Sequence, residues 1–252
     1  MTHPLLLIQT GEAPEAIRAR LGGFAEWFRK AMRLDATRMR VVRVDAGEPL
    51  PPQACVAGAV ITGSGAMVTE RADWSERTAD WIRDAMETET PLFGVCYGHQ
   101  LMAHALGGTV GWLPAGREIG TVPITRNDRR GDDWLSALPM TFTAHTTHRQ
   151  SVLEPPHRAV VLAASESDPY QLLRYAPYAV STQFHPEFSA ESMRAYIDAR
   201  ADALREEGFD PDALHAGVQE TEAARALLER FAHTALAAKA APRRDKARAL
   251  QS

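Results

Sequence analysis

Cys96, His185 and Glu187 are the residues of this chain whose types and spacing could do covalent chemistry. Cys96 lies in Gly94-Val95-Cys96-Tyr97-Gly98, behind the apolar run Leu92-Phe93-Gly94-Val95 and ahead of Leu101, Met102, Ala105 and Leu106 at helical spacing. Strand, Gly-x-Cys-x-Gly, helix is the cysteine form of a nucleophile elbow. Glycines on both sides relieve the crowding of a sharp strand-to-helix turn. Such a turn sets the sulfur at the positive end of the helix, where a thiolate is favoured, and aims the Tyr97 N–H at a developing oxyanion. His185-Pro186-Glu187 follows another apolar segment directly. In extended geometry side chains two apart face the same way, so Glu187 can orient the imidazole that holds or takes the thiol proton. Each pattern alone is bland: a lone cysteine is mostly a small buried hydrophobe, and a lone His-x-Glu a surface pair. Together they outline an acyl-transfer site.

The elements that must position these residues read as α/β. A strand is predicted over residues 5–9, a helix from Pro14 to residue 33 with Ile17, Leu21, Phe24 and Phe28 on one face, and strands over 40–44 and 56–62. A helix over 74–87 then leads into the elbow. This order predicts a doubly wound, mostly parallel sheet flanked by helices, with the site at the carboxyl ends of its strands. From residue 109 to 180 the texture turns to short alternating segments. Strands are predicted over 118–126, 140–144, 159–163, 170–175 and 179–183, some of them antiparallel, as a small extension of the sheet. Ser189 is expected to cap a helix running to residue 206. A further helix over 218–238 is amphipathic enough to cover its own sheet or a neighbour's. Beyond it Lys239, Arg243, Arg244, Lys246 and Arg248 stand against Asp245 as a solvated basic tail. The expected division is 1–206 for the α/β domain and 207–252 for a C-terminal helical extension and tail.

With 252 residues, 45% apolar, the chain can bury one generous core. Its net charge of −4 with mixed signs gives no reason to expect nucleic acid or an anionic membrane as partner. No apolar run is long enough to span a bilayer, and Leu5-Leu6-Leu7-Ile8 is too short for a signal-peptide core. The two cysteines, Cys55 and Cys96, cannot make a disulfide framework or a zinc ribbon, and free thiols fit a reducing cytoplasm. Gly63-Ser64-Gly65 follows a predicted strand, but Val68 stands where a dinucleotide loop needs its third glycine, so the turn suits a backbone donor site better.

Gly94-Val95-Cys96-Tyr97-Gly98-His99-Gln100 together with Gln183-Phe184-His185-Pro186-Glu187 resembles the class I (triad) glutamine amidotransferase family, above all its stand-alone GMP-synthase-like members. The likeness runs over residues 5–200. It implies a flavodoxin-like fold and glutamine hydrolysis through a γ-glutamyl thioester. Cys96 is then the nucleophile, His185 the general base and later acid, and Glu187 its orienter. The oxyanion hole falls on the N–H groups of Tyr97 and Ser64, and Gly63, Gly65, Gln100, His148 and Gln150 map to the substrate-binding surface. No metal and no cofactor are expected.

The sequence departs from the family in one place. Members carry Ser-His-Gly-Asp at a segment that helps hold the amino-acid end of glutamine, whereas this chain has Thr147-His148-Arg149-Gln150. Gln150 removes a carboxylate that could pair with a substrate ammonium and leaves room for a γ-glutamyl peptide or amide. His145 and His148 are spaced as His-x-x-His without a second ligand pair, which gives little reason for a metal. Glu118 reads as structural, His99 as a local orienter, His104 as packed and Cys55 as inert. No ATP-binding motif is present, and the residues beyond 206 are too few for a synthetase domain. The readings are therefore a glutaminase-type amidotransferase that releases ammonia, possible with a synthase partner to accept it; a γ-glutamyl peptidase or hydrolase; and a non-catalytic module on the same fold.

Overall fold

The structure is a computed structural model and describes residues 3–127, 132–136 and 138–240. Of the basic tail, Arg243, Arg244, Asp245, Lys246 and Arg248 lie outside the described residues.

The first half builds the parallel part of the sheet. Strand β1 (Leu5–Gln9) leads to helices α1 (Glu15–Leu21) and α2 (Phe24–Ala31), strand β2 (Met39–Arg43) and strand β3 (Gly58–Ile61). Helix α3 (Asp73–Glu87) returns to β4 (Leu92–Val95), and α4 (Tyr97–Ala105) starts one residue later. Every residue of β1, β3 and β4 is buried, as expected of strands covered on both faces. The single helix predicted from Pro14 to residue 33 is two helices, because Gly22 adopts φ 79° and breaks the run.

The second half is antiparallel: β5 (Thr109–Trp112), β6 (Glu118–Arg126), β7 (Thr141–His148), β8 (Gln150–Glu154), β9 (Val160–Ala164), β10 (Leu172–Ala176) and β11 (Ala179–Thr182). Nine strands form one sheet in the order β2-β1-β3-β4-β11-β10-β9-β6-β7, and β5 and β8 pair as a separate ribbon. β11 runs parallel to β4 yet antiparallel to β10, so it is the seam between the two halves. Neither β5 nor β8 was anticipated: β5 has four residues, includes Gly111 and buries none of them fully, which leaves no alternation to read. β7 runs to His148, beyond the predicted residue 144, and pairs with β6 in a register that sets Glu118 opposite His148.

The helix expected over 189–206 is also two, α5 (Ala190–Asp198) and α6 (Ala201–Glu206). Ser189 caps α5, its hydroxyl accepting from the Ser192 N–H at 3.1 Å. Helix α7 (Pro211–Ala216), capped by Asp210, precedes α8 (Glu222–Ala240). α8 covers its own sheet: Leu227, Leu228, Phe231 and Ala235 are buried in the same cluster as Leu5, Val60 and Phe93. The opposite face of the sheet packs Leu6, Ile8 and Ile61 against Ile82 of α3 and Leu101 of α4. Among the described residues no helix is long and apolar enough to cross a membrane.

Candidate active site

Cys96 stands between the end of β4 and the start of α4 with φ 51° and ψ −100°, a conformation that a side chain rarely adopts. The neighbouring glycines are sterically required. A β-carbon on Gly94 would stand 2.5 Å from the Gly98 carbonyl oxygen, and one on Gly98 would stand 2.4 Å from that of Ile61. Two backbone bonds hold the turn: the Cys96 N–H donates to Thr182 O at 2.8 Å and the Gly98 N–H to Thr62 O at 3.1 Å. The elbow is thus tied to both strands that flank β4. The N–H groups of Tyr97 and Ser64 have no acceptor among the described residues.

The turn at Gly63 is fixed from below. Thr10 Oγ1 donates to Gly63 O at 3.0 Å, and the Thr10 N–H donates to Thr62 Oγ1 at 3.0 Å. A β-carbon on Gly63 would meet His185 Cε1 at 3.0 Å and Cys96 Cβ at 3.6 Å, so this glycine marks where the thiol and the imidazole converge.

His185 and Glu187 follow β11. The His185 Nδ1–H donates to Glu187 Oε1 at 2.7 Å, and both residues are buried. They meet across a turn at Pro186-Glu187, with the Phe188 N–H donating to His185 O at 3.4 Å, and not along the extended segment that the sequence suggested. The His185 N–H donates to His145 O at 2.8 Å, and Phe188 stacks on the imidazole at 4.3 Å. Burial works against a charged ring here, but the Glu187 carboxylate and then Cys96 outweigh it and push the His185 pKa up to about 10. The ring is therefore an imidazolium at neutral pH. Its Nε2 is buried without a hydrogen-bond partner among the described residues, and Cys96 is among the groups that act on the ring. His145 is the opposite case: burial, with His185 beside it, pulls it down to about 4, and it stays neutral.

Cys96, Tyr97, Ser64, Gly65, Gln100, His148 and Gln150 line one cavity of about 110 Å³. That is well below the roughly 300–1,000 Å³ of pockets for drug-sized ligands, and it suits an amino-acid side chain. Gln100 spends its amide N–H groups on Gln150 O at 2.7 Å and Gln183 Oε1 at 3.0 Å, leaving its carbonyl oxygen for a ligand. His148 has both ring nitrogens engaged, by Gln150 O and by Glu118 Oε2, each at 3.0 Å. Glu118 also accepts from Gln171 Nε2 at 2.6 Å and Ser165 Oγ at 2.5 Å. His148 is thus a strut for the cavity wall. Gln150 Nε2 donates to Thr69 Oγ1 at 2.7 Å, while its Oε1 is buried without a donor among the described residues.

Three arginines that line the cavity were not singled out from the sequence: Arg117, Arg149 and Arg200. Arg117 pairs with Glu207 through two bonds of 2.5 and 2.8 Å, and Arg149 lies over the Trp112 ring at 5.5 Å. Arg149 falls within the Thr147-His148-Arg149-Gln150 segment and Arg117 directly precedes Glu118, whereas Arg200 falls in a stretch that reads as plain helix. His99, which pairs with Ser181 Oγ at 2.7 Å, and His104, which pairs with Glu76 at 3.1 Å, serve the packing of α4. Burial pulls His99 down to about 3, so it stays uncharged. Among the described residues no cluster of three or more His, Cys, Asp or Glu could hold a metal.

The doubly wound sheet thus carries a cysteine elbow with a buried His-Glu pair near it. Residues 23–201 match the sequence profile of the family described as glutamine amidotransferase class-I, and the chain belongs to that family. It is 33% identical over 141 residues to a glutamine-hydrolyzing GMP synthase of Aeropyrum pernix, a match that covers 56% of this chain and 25% of that protein. It is 25% identical over 197 residues to gamma-glutamyl peptidase 2 of Arabidopsis thaliana, covering 76% of this chain and 79% of that protein. A solved structure of a glutamine amidotransferase from Methylobacillus flagellatus superposes with a TM-score of 0.71 at 25% identity, covering 94% of each chain. The chain spans only a quarter of the length of the Aeropyrum protein.

Proposed function

We propose that the chain hydrolyses a γ-glutamyl amide bond through a thioester on Cys96, with glutamine as substrate and ammonia as product. The observation that supports this best is the His185 imidazolium held between Glu187 Oε1, at 2.7 Å, and Cys96. The Cys96 thiolate attacks the γ-carbonyl carbon, and the oxyanion is held by the Tyr97 and Ser64 N–H groups, donors of a kind worth about 100- to 1,000-fold in rate. As the C–N bond breaks, His185 gives its proton to the leaving nitrogen. Water then attacks the thioester, His185 takes its proton, and glutamate leaves with Cys96 restored. Glu187 orients the ring throughout. A synthase that accepts the ammonia is the partner this reading calls for, in line with the GMP synthase relative.

A second reading has specific support. Gln150 is neutral where a carboxylate would hold a substrate ammonium, and a gamma-glutamyl peptidase is among the relatives, so the leaving group can be an amino acid in place of ammonia. The test is release of glutamate and ammonia from glutamine and, separately, of glutamate from a γ-glutamyl dipeptide, with Cys96→Ala as control. Turnover of either compound that vanishes in Cys96→Ala supports the mechanism. Turnover that survives the substitution overturns it.

A further inference from the structure

We infer that Arg200 is a specificity residue that binds a carboxylate on the leaving portion of the substrate, so that the preferred substrates are γ-glutamyl amino acids over neutral γ-glutamyl amides. The inference rests on the proposed hydrolysis through Cys96 and deepens its second reading, in which an amino acid leaves in place of ammonia.

Arg200 lines the same cavity as Cys96, and its Nη1 is buried without a hydrogen-bond acceptor among the described residues. Leaving a guanidinium N–H buried and unpaired is unfavourable, so the position invites an acceptor that arrives with the ligand. No carboxylate of the described residues fills that role. Glu207 is occupied by Arg117 through both of its oxygens. Burial makes the Arg200 cation less favourable than usual, and the neighbouring charges of Arg117 and Arg149 add to it, while Tyr196 and Cys96 act in the opposite direction. What this corner lacks is a hydrogen-bond acceptor for Arg200 Nη1.

The placement of Arg200 indicates which end of the substrate it meets. A line of ring contacts joins it to the proton donor: the guanidinium covers Tyr196 at 4.6 Å, Tyr196 packs on Phe188 at 4.9 Å, and Phe188 stacks on His185 at 4.3 Å. His185 must stand beside the nitrogen that leaves, so the residues continuing from its side flank the leaving group. The glutamyl arm faces the other wall, where Gln100 and Gln150 present free carbonyl oxygens to its ammonium. The break between α5 and α6 is what turns Arg200 inward. The residue has φ −118° and ψ 9° and opens α6 in place of continuing α5. A guanidinium stacked on a ring keeps its fork rigid and suited to bidentate binding of a carboxylate.

The step is ordinary hydrolysis. The Cys96 Sγ–C bond forms, the amide C–N bond breaks, and the His185 proton goes to the departing amine. Water then supplies the hydroxyl of glutamate as the Sγ–C bond breaks, and returns a proton to His185. Arg200 takes no part in bond making; it holds the departing amino acid by its carboxylate.

The test compares γ-glutamyl-alanine with γ-glutamyl-alaninamide, which differ only in that carboxylate. In the wild-type chain kcat/KM is expected to favour the acid by about 10- to 100-fold, the range of one hydrogen bond to a charged group. Arg200→Met brings the ratio close to one, and Arg200→Lys restores part of it. Calorimetric titration of both compounds into Cys96→Ala reads the same preference without turnover. A wild-type ratio near one overturns the inference. So does an Arg200→Met variant that slows acid and amide alike, because Arg200 then serves the glutamyl arm or the fold. Absence of turnover with every compound overturns the hydrolytic reading alone, and the calorimetric preference then decides the role of Arg200. Absence of heat with both compounds overturns the two together.

Discussion

His185 and Glu187 are separated by a single proline, yet the turn it makes sets Nδ1 of one 2.7 Å from Oε1 of the other with both side chains buried. The bond fixes which ring nitrogen faces Cys96, since a buried imidazole with one nitrogen held by a carboxylate has only the other to offer. Glu187→Gln keeps the size of the side chain but removes its charge and can present an N–H to Nδ1. The expected outcome is a fall in kcat of about 100-fold or more, bounded by the roughly 10⁴-fold loss that follows when the orienting carboxylate of a serine triad is neutralised. His185→Asn is expected to be the more severe, because it removes the proton carrier itself. Steady-state rates on glutamine or a γ-glutamyl dipeptide measure both, and equal losses would argue that Glu187 moves the proton.

The His185 pKa of about 10 has consequences on both stability and rate. The folded value lies above the ordinary 6.5, so this group's stabilising contribution is complete below about 6.5 and is lost as the pH rises toward 10. The thermal midpoint should therefore decline across that interval, and the decline should flatten in His185→Asn. In the proposed mechanism the same proton goes to the leaving nitrogen, so kcat/KM should hold through neutral pH and fall on an alkaline limb near 10. In Glu187→Gln that limb should move to lower pH. A limb that stays in place would mean that Glu187 does not support the charge on the ring.

Gly63 tests how closely the two reacting groups are packed. An added methyl would lie 3.0 Å from His185 Cε1, tighter than ordinary contact, and 3.6 Å from Cys96 Cβ. Phe188 already occupies a face of the imidazole, so the ring has little room to retreat. Gly63→Ala should lower kcat at least 10-fold with a modest change in stability, of about 1–3 kcal/mol at most, as for other overpacked sites. Denaturant unfolding alongside initial rates separates the two effects. A variant that keeps its rate would show that the imidazole tolerates displacement from the thiol.

The sheet and the candidate residues at its strand ends were legible in the sequence because their signals are local. An apolar run before Gly-x-Cys-x-Gly, and another before His-Pro-Glu, place both motifs at strand ends without knowledge of the fold. What was not legible depends on pairing across long separations. β5 and β8 carry little apolar alternation and exist because they pair with each other. The contact between Glu118 and His148 follows from the register of β6 on β7, which the sequence does not print. Helix breaks divide the same way. Gly22 announces the first, whereas Ala199-Arg200 has neither glycine nor proline to mark the second, and so the sequence read through the residue that the break turns into the cavity.

Cys96 pays a conformational penalty for its position, and that penalty is measurable. With φ 51° and ψ −100° it occupies a region that costs a side-chain-bearing residue about 1–3 kcal/mol. Glycine adopts such a conformation freely, but it loses about 0.5–1 kcal/mol more backbone entropy on folding than alanine does. The strain term is the larger, so Cys96→Gly should unfold at a higher denaturant concentration than Cys96→Ala, by about 1 kcal/mol. Both variants should be without turnover, because each removes the sulfur. Chemical denaturation of the two proteins side by side makes the comparison without any substrate. If Cys96→Ala proved the more stable, the elbow would be relaxed in solution, and the exposure of the sulfur to the γ-carbonyl would need another cause.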